Sequence, residues 1–368
     1  MSGRTGRWAT AAVMAASAVA VVSPVTARAS ASSVGELAYI SQGSVYVVPV
    51  SSDASTGSPD RIAPTAQPRG VTTASNLEAS SDGTWLAWLE SNPKTGSIAV
   101  VAMDVVTGRQ VRLTHASYPL GFAGDTLVVI GKGERAARLV LKPKPHLVTV
   151  ADTNYPDAVY PHGVIDQVTH SSKRGTPTSS TVRLNSFSGQ HVSVHRYAGS
   201  KSLPYLAGEL ASSDGKQLLV EVGDDEGFYG TQASDFDDYA LDDNSARTPL
   251  GHYATGSTAW QMNDGTFVGP DDVPWLTVYG SSRSGTRSDL VRYVNGAWQL
   301  VASDVITVLG RSDGYVVYQP GKWVLGKHAE DDVPTQRPTT DAQLWFDGSA
   351  RSLGLTGTEF AWVTNLRS

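Results

Sequence analysis

The tripeptide Ser-Asp-Gly recurs at Ser81-Asp82-Gly83, Ser213-Asp214-Gly215 and Ser312-Asp313-Gly314, with Asn263-Asp264-Gly265 as a close relative, and an apolar run follows each copy. Asp-Gly supplies the left-handed backbone conformations of a tight hairpin, and Ser or Asn can bond the turn backbone, so each copy predicts a hairpin. The Asp residues are separated by 132, 50 and 49 positions, and the long gap divides into three of 44. Weaker turn marks at Gly124-Asp125, around His162-Gly163 and at Thr356-Gly357 fit that spacing. A hairpin repeated every ~40 to 50 residues, with four short strands per unit, is the signature of a β-propeller.

The segments between the turns agree. Leu37-Ala38-Tyr39-Ile40, Leu86-Ala87-Trp88-Leu89, Leu127-Val128-Val129-Ile130 and Tyr315-Val316-Val317-Tyr318 are short, β-branched or aromatic, and bounded by turn residues. Several are apolar on both faces, so both faces of their sheets must be covered. No 10- to 15-residue helical period lies between them, which leaves stacked sheets. The 36 Gly and 19 Pro favour many turns over long helices.

One stretch carries a resemblance. Ser80-Ser81-Asp82-Gly83-Thr84-Trp85-Leu86-Ala87-Trp88, then Ile98 to Asp104, then Thr107-Gly108-Arg109-Gln110-Val111-Arg112-Leu113-Thr114, resembles one complete repeat of the TolB-type propellers. The match is good over residues 75 to 115, partial at 35 to 66, 206 to 223 and 305 to 320, and weak at 150 to 200. Ser81, Ser213 and Ser312 stand where the family hairpin has Pro. The resemblance implies an all-β propeller in a periplasmic or extracellular setting. It fixes no activity, since such propellers serve as docking modules, as lids of peptidases and, less often, as lyases or hydrolases. Dividing the chain beyond residue 29 into seven gives about 48 residues per blade, so seven blades of four antiparallel strands are expected, with six or eight as the neighbouring counts. The strands near residues 37 to 49 lack a preceding inner strand, and Phe360-Ala361-Trp362-Val363 can supply it, closing the ring by pairing the chain ends.

Residues 1–29 read as a signal peptide, and residues 30–368 as a single propeller domain. Arg4 and Arg7 precede the uncharged run Trp8 to Val22, and Ala27-Arg28-Ala29 is a small-x-small cleavage signal. The run is shorter than a bilayer span, so no stable membrane insertion is expected. Cleavage after Ala29 removes three of the 29 basic side chains and no acid, moving the formal charge from −6 to −9. An anionic exported chain is a poor partner for nucleic acid or an anionic membrane. The absence of cysteine excludes a disulfide scaffold, a thiolate metal site and a cysteine nucleophile. The expected localisation is secreted or cell envelope, and the expected state a monomer.

The densest chemical cluster is acidic. Glu221, Asp224, Asp225 and Glu226 are followed by Asp235, Asp237, Asp238, Asp242 and Asp243. Asp224, Asp225, Glu226, Asp235, Asp237 and Asp238 are the candidate ligands of one hard cation, calcium, against the alternative of a solvated loop. Asp271, Asp272 and Trp275 combine carboxylates with an indole in a Pro-containing loop, the composition of many carbohydrate sites, and are the candidate ligand contacts, against the alternative that Trp275 packs between blades. Gly310-Arg311-Ser312-Asp313-Gly314 matches a nucleophile elbow in letters only, because strand rather than helix follows it. His191 and His195 would sit on one face of a surface strand about 13 Å apart, too far to share a metal. No catalytic residue is assigned, and no cofactor is required. The expected function is an exported, non-enzymatic scaffold that docks a protein or cell-envelope ligand. The alternatives are an extracellular carbohydrate-active enzyme, glycoside hydrolase or polysaccharide lyase, and a calcium-dependent lectin.

Overall fold

The computed structural model describes residues 32–63, 73–131, 135–140, 145–150, 156–174, 177–198, 205–223, 234–241, 246–254, 259–282, 285–324 and 335–363. They form seven antiparallel sheets and, among the described residues, no helix. Blade 1 joins β29 (Phe360–Val363) to β1 (Ser33–Ser41), β2 (Ser44–Ser51) and β3 (Asp60–Ala63). Blade 2 comprises β4 (Thr73–Ala79), β5 (Trp85–Asn92), β6 (Ser97–Asp104) and β7 (Gln110–Leu113), and blade 3 β8 (Ala116–Ala123), β9 (Thr126–Gly131), β10 (Ala136–Val140) and β11 (His146–Thr149). Blade 4 runs β12 (Ala158–Tyr160), β13 (Gly163–Ser171), β14 (Pro177–Ser186), β15 (His191–Ala198), and blade 5 β16 (Tyr205–Ala211), β17 (Gln217–Gly223), β18 (Asp235–Ala240), β19 (Ala246–Gly251). Blade 6 contains β20 (Ala259–Val268), β21 (Val273–Ser282), β22 (Gly285–Val294) and β23 (Ala297–Ser303). Blade 7 contains β24 (Val305–Gly310), β25 (Val316–Val324), β27 (Gln343–Phe346) and β28 (Ser349–Ser352), with β26 (Thr335–Pro338) paired to the far end of β25.

The first strands of successive blades touch one another in order, and β24 touches β29, which touches β4. The ring is therefore a closed seven-bladed propeller, and β29 is the missing inner strand of blade 1, with Phe360 opposite Tyr39 and Val363 opposite Glu36. Apolar side chains on both faces of each blade fill the spaces between neighbours, giving seven buried clusters, one per blade interface. Trp88 is wholly buried between blades 1 and 2, beside Ala361 and Val363 of the closing strand.

The Ser-Asp-Gly copies at 81–83, 213–215 and 312–314 are the first hairpins of blades 2, 5 and 7, and Gly83, Gly215 and Gly314 adopt positive φ there. In blade 2 the Trp85 amide donates to Ser80 Oγ at 2.9 Å, Ser80 donates to Asp82 at 2.7 Å, and the Thr84 amide donates to Asp82 at 2.9 Å. Burial alone would raise the Asp82 carboxyl, but these hydrogen bonds outweigh it and hold it below its ordinary value. Asp82→Ala is therefore expected to cost about 1 kcal/mol in urea unfolding at neutral pH. Because a depressed carboxyl stabilises only while ionised, the difference should vanish as pH falls below its folded value.

Asn263-Asp264-Gly265 is not a turn. It lies inside β20, where the register shifts between Met262 and Asp264, and it forms a β-bulge on the inner strand of blade 6. The first hairpin of that blade is Gly269-Pro270-Asp271-Asp272, with positive φ at Gly269 and Asp272. The two motifs look alike because Asp and Gly suit bulges and turns for the same conformational reason. The Thr356-Gly357 mark is also no first hairpin; the Gly357 amide donates to Gln319 at 3.1 Å on the approach to β29.

Candidate functional site: the central channel

The inner strands enclose a channel with two adjoining cavities, of about 530 Å³ and about 310 Å³, that share Leu77, Glu78, Gly265, Thr266, Leu309 and Phe360. Three carboxylates from well-separated parts of the chain line the larger cavity: Glu78 on β4, Asp264 on the β20 bulge, and Glu359 immediately before β29. Each is half-buried, and none forms an ion pair among the described residues.

The backbone sets their positions. A register shift in β4 between Ser75 and Glu78, with Asn76 at φ 54°, turns the Leu77 amide toward Glu359 Oε2, to which it donates at 2.5 Å. Asp264 Oδ2 accepts from the Thr307 hydroxyl at 2.8 Å and the Val308 amide at 3.2 Å, tying blade 6 to blade 7, while Oδ1 accepts from the Gly265 amide at 2.8 Å. Glu78 accepts no such hydrogen bond among the described residues. Burial, then the charges of Glu359 and Asp264, push its carboxyl up to about 8, so it holds its proton at neutral pH. Burial also raises Glu359 and Asp264, against the opposing hydrogen bonds. Gly121 has φ 139° in the neighbouring strand, and a Cβ there would lie 2.9 Å from Val159 and 3.8 Å from Glu78 Oε2. The close approach of β8 to β12 therefore requires glycine.

The smaller cavity opens at the first hairpins, where Ser81, Ser213, Arg311 and Ser312 meet Trp362. Arg311 lies 4.9 Å over the Trp362 indole and pairs with Asp313, and its Nη1 donates to the Val34 carbonyl at 2.6 Å.

The acidic residues singled out in the sequence are elsewhere. Asp224, Asp225 and Glu226 fall outside the described residues. Asp235 is exposed beside His252 at 3.1 Å, whereas Asp237 is buried between blades 4 and 5, accepting from the Tyr197 hydroxyl at 2.8 Å and pairing with Arg247 at 3.0 Å. Asp238 points to the opposite face of β18, as strand alternation requires, and burial, then the Asp272 charge, push it up to about 6. Asp235, Asp237 and Asp238 do not converge, and among the described residues no group of three His, Asp or Glu side chains is placed to hold a metal ion.

Asp271 and Asp272 occupy the first hairpin of blade 6, Asp271 exposed and Asp272 half-buried, but Trp275 does not join them at a surface. Its indole is 2 % exposed and packs edge-on against Trp345 at 4.8 Å in the core between blades 6 and 7. A β-bulge opposite Val182 and Arg183 also separates the two histidines of β15: His191 bonds Asn185 at 2.6 Å, while His195 is half-buried against Tyr197, with ring centroids 4.7 Å apart. No motif in the sequence marks Glu359. A signal for Glu78 exists, because it stands four residues before a turn Asp, where the other Ser-Asp-Gly blades have Leu210 and Leu309.

No protein-family model and no curated protein matches the chain. Among solved structures it is similar to an oligogalacturonate lyase in complex with manganese, with 13% identity, TM-score 0.51, and coverage of 86% of this chain and 85% of that one. It is also similar to the β-propeller domain of the Trilobed protease from Pyrococcus furiosus, with 12% identity, TM-score 0.50, and coverage of 84% and 87%. That domain is described as having an open velcro topology; here β29 pairs with β1. An acylaminoacyl peptidase from Pyrococcus horikoshii aligns with 12% identity and TM-score 0.47 over 86% of this chain and 52% of its own. At these identities the likeness shows the fold alone: the chain is a seven-bladed β-propeller resembling the propellers of such peptidases and lyases.

Proposed function

We propose that the protein is an exported binding scaffold of the TolB-like kind, without catalysis of its own, that takes a protein or cell-envelope ligand at the channel of its ring. The observation that carries this reading is the channel itself, two adjoining cavities walled by a closed ring and lined by side chains from several blades. A rigid ring fixes those groups before a ligand arrives, so little ordering entropy opposes binding. Its separate inner strands can change their side chains without disturbing the blade cores.

One observation favours a second reading, a carbohydrate-active enzyme. Glu78 keeps its proton at neutral pH, and Glu359, whose carboxyl burial also raises, accepts a hydrogen bond from the Leu77 amide in the same cavity; two neighbouring carboxyls are the groups that acid and base work requires. The experiment is affinity capture by the full chain from envelope and culture fractions of the producing cells, with and without chelator, followed by analysis of both protein and glycan. Saturable enrichment of one unaltered ligand supports the scaffold. Shortening of a captured polysaccharide during incubation overturns it in favour of the enzyme, and loss of binding on chelation points to the calcium-dependent lectin.

A further inference from the structure

The mouth at the first hairpins presents a repeated hydroxyl that the fold does not use. Ser81, Ser213 and Ser312 each stand immediately before the turn Asp of their blade, line the same cavity, are exposed, and make no side-chain hydrogen bond among the described residues. Their neighbours Ser80 and Ser212 hold the turns: both are buried, and Ser212 accepts from the Gln217 amide at 2.9 Å and donates to Asp214 at 2.8 Å. In blades 2 and 5 the turn is thus secured by one serine and the next is left free; in blade 7 Arg311, paired with Asp313, stands in the first serine's place. Blade 6 has Pro270 at this place, so the turn itself does not demand a hydroxyl there.

We infer that this mouth is a subsite for one neutral saccharide unit, gripped by the hydroxyls of Ser81, Ser213 and Ser312 beside the Trp362 indole. The inference rests on the reading that the ring binds its ligand at the channel, and it names the chemistry of that ligand. A hydroxyl both donates and accepts, so three of them around one opening match the neighbouring hydroxyls of a sugar ring. Trp362 lines the same cavity, its Nε1–H buried and without an acceptor among the described residues. Apolar walls from Leu210 and Leu309 suit the C–H face of a pyranose. The local charges favour a neutral ligand. Arg311 is neutralised by Asp313, with Nε donating to it at 3.0 Å, and Glu78 at the inner end keeps its proton. The volume, about 310 Å³, is large enough for one sugar unit.

Saturation-transfer NMR and calorimetry on the full chain, with methyl glycosides of neutral hexoses and N-acetylhexosamines, test this. At least one glycoside should bind saturably, and the combined Ser81→Ala, Ser213→Ala, Ser312→Ala variant should weaken it by about tenfold or more. The melting temperature should stay within about 2 °C, because these are exposed hydroxyls outside the turn network. The inference is overturned if no glycoside binds, or if the triple variant binds with unchanged affinity. If a captured protein binds at the channel while no glycoside does, the saccharide assignment fails and the scaffold reading stands. Binding that is indifferent to a blocked channel removes both.

Discussion

Truncation after Gly357 is expected to abolish cooperative unfolding. That deletion removes β29, which pairs with β1 from Glu36↔Val363 to Tyr39↔Phe360, and it leaves blade 1 without its inner strand. Phe360, Ala361 and Val363 leave two interblade clusters at once, and the partly buried Trp362 leaves with them. Burial of such side chains is worth roughly 1.5 to 3 kcal/mol for each large one, so the loss exceeds ~5 kcal/mol, comparable to the whole stability of many domains. It also exposes the edge of β1 to pairing with other chains. Near-UV circular dichroism through a thermal scan should show no sharp transition, and light scattering should rise. A truncated chain that melts cooperatively within a few degrees of the intact one would mean that ring closure is not what holds the blades together.

The second large effect concerns Glu78 and pH. Its folded carboxyl is pushed up to about 8 from an ordinary 4.5, so between those values the folded state binds more protons than the unfolded state. Stability is therefore undiminished by this group below about 4.5 and is lost as pH rises through about 8. Glu78→Gln removes the titration. The variant should match the wild type near pH 4.5 and exceed it at pH 9 by an amount on the order of 3 kcal/mol, discounted because Glu78 is only half-buried and its open side lines the channel. In melting temperature this is on the order of 5 °C at pH 9. Equal melting curves at pH 9 would show that Glu78 ionises freely in the folded ring.

The blades were legible because their information is local. A strand that is apolar on both faces, a turn held by Ser80 and Asp82, and a terminal strand with no partner of its own each declare themselves within ten residues. Blade 6 was misregistered for a local reason too: Asp264-Gly265 carries turn chemistry into a bulge, and its distance from Asp214 happens to fit the period. The channel is a different matter. Glu78, Asp264 and Glu359 meet only because blades 2, 6 and 1 close into one ring, and their separation in sequence leaves no spacing to read. Composition drew the eye to the carboxylates around Asp235 to Asp238, but strand alternation sends them to opposite faces of β18. Trp275 lies within β21, where it is buried in the core between blades 6 and 7, while Asp271 stays exposed in the hairpin before that strand.

The central claim is that the ligand enters the channel, and blocking each cavity tests it most directly. Ser213→Trp fills the smaller cavity at the first hairpins, and Thr358→Trp fills the larger one beside Glu359. Calorimetric titration of the captured ligand into wild type and both variants, each confirmed to melt as the wild type does, should show affinity falling about a hundredfold or more in at least one variant. Equal affinity in all three proteins would place the binding surface outside the channel and contradict the account.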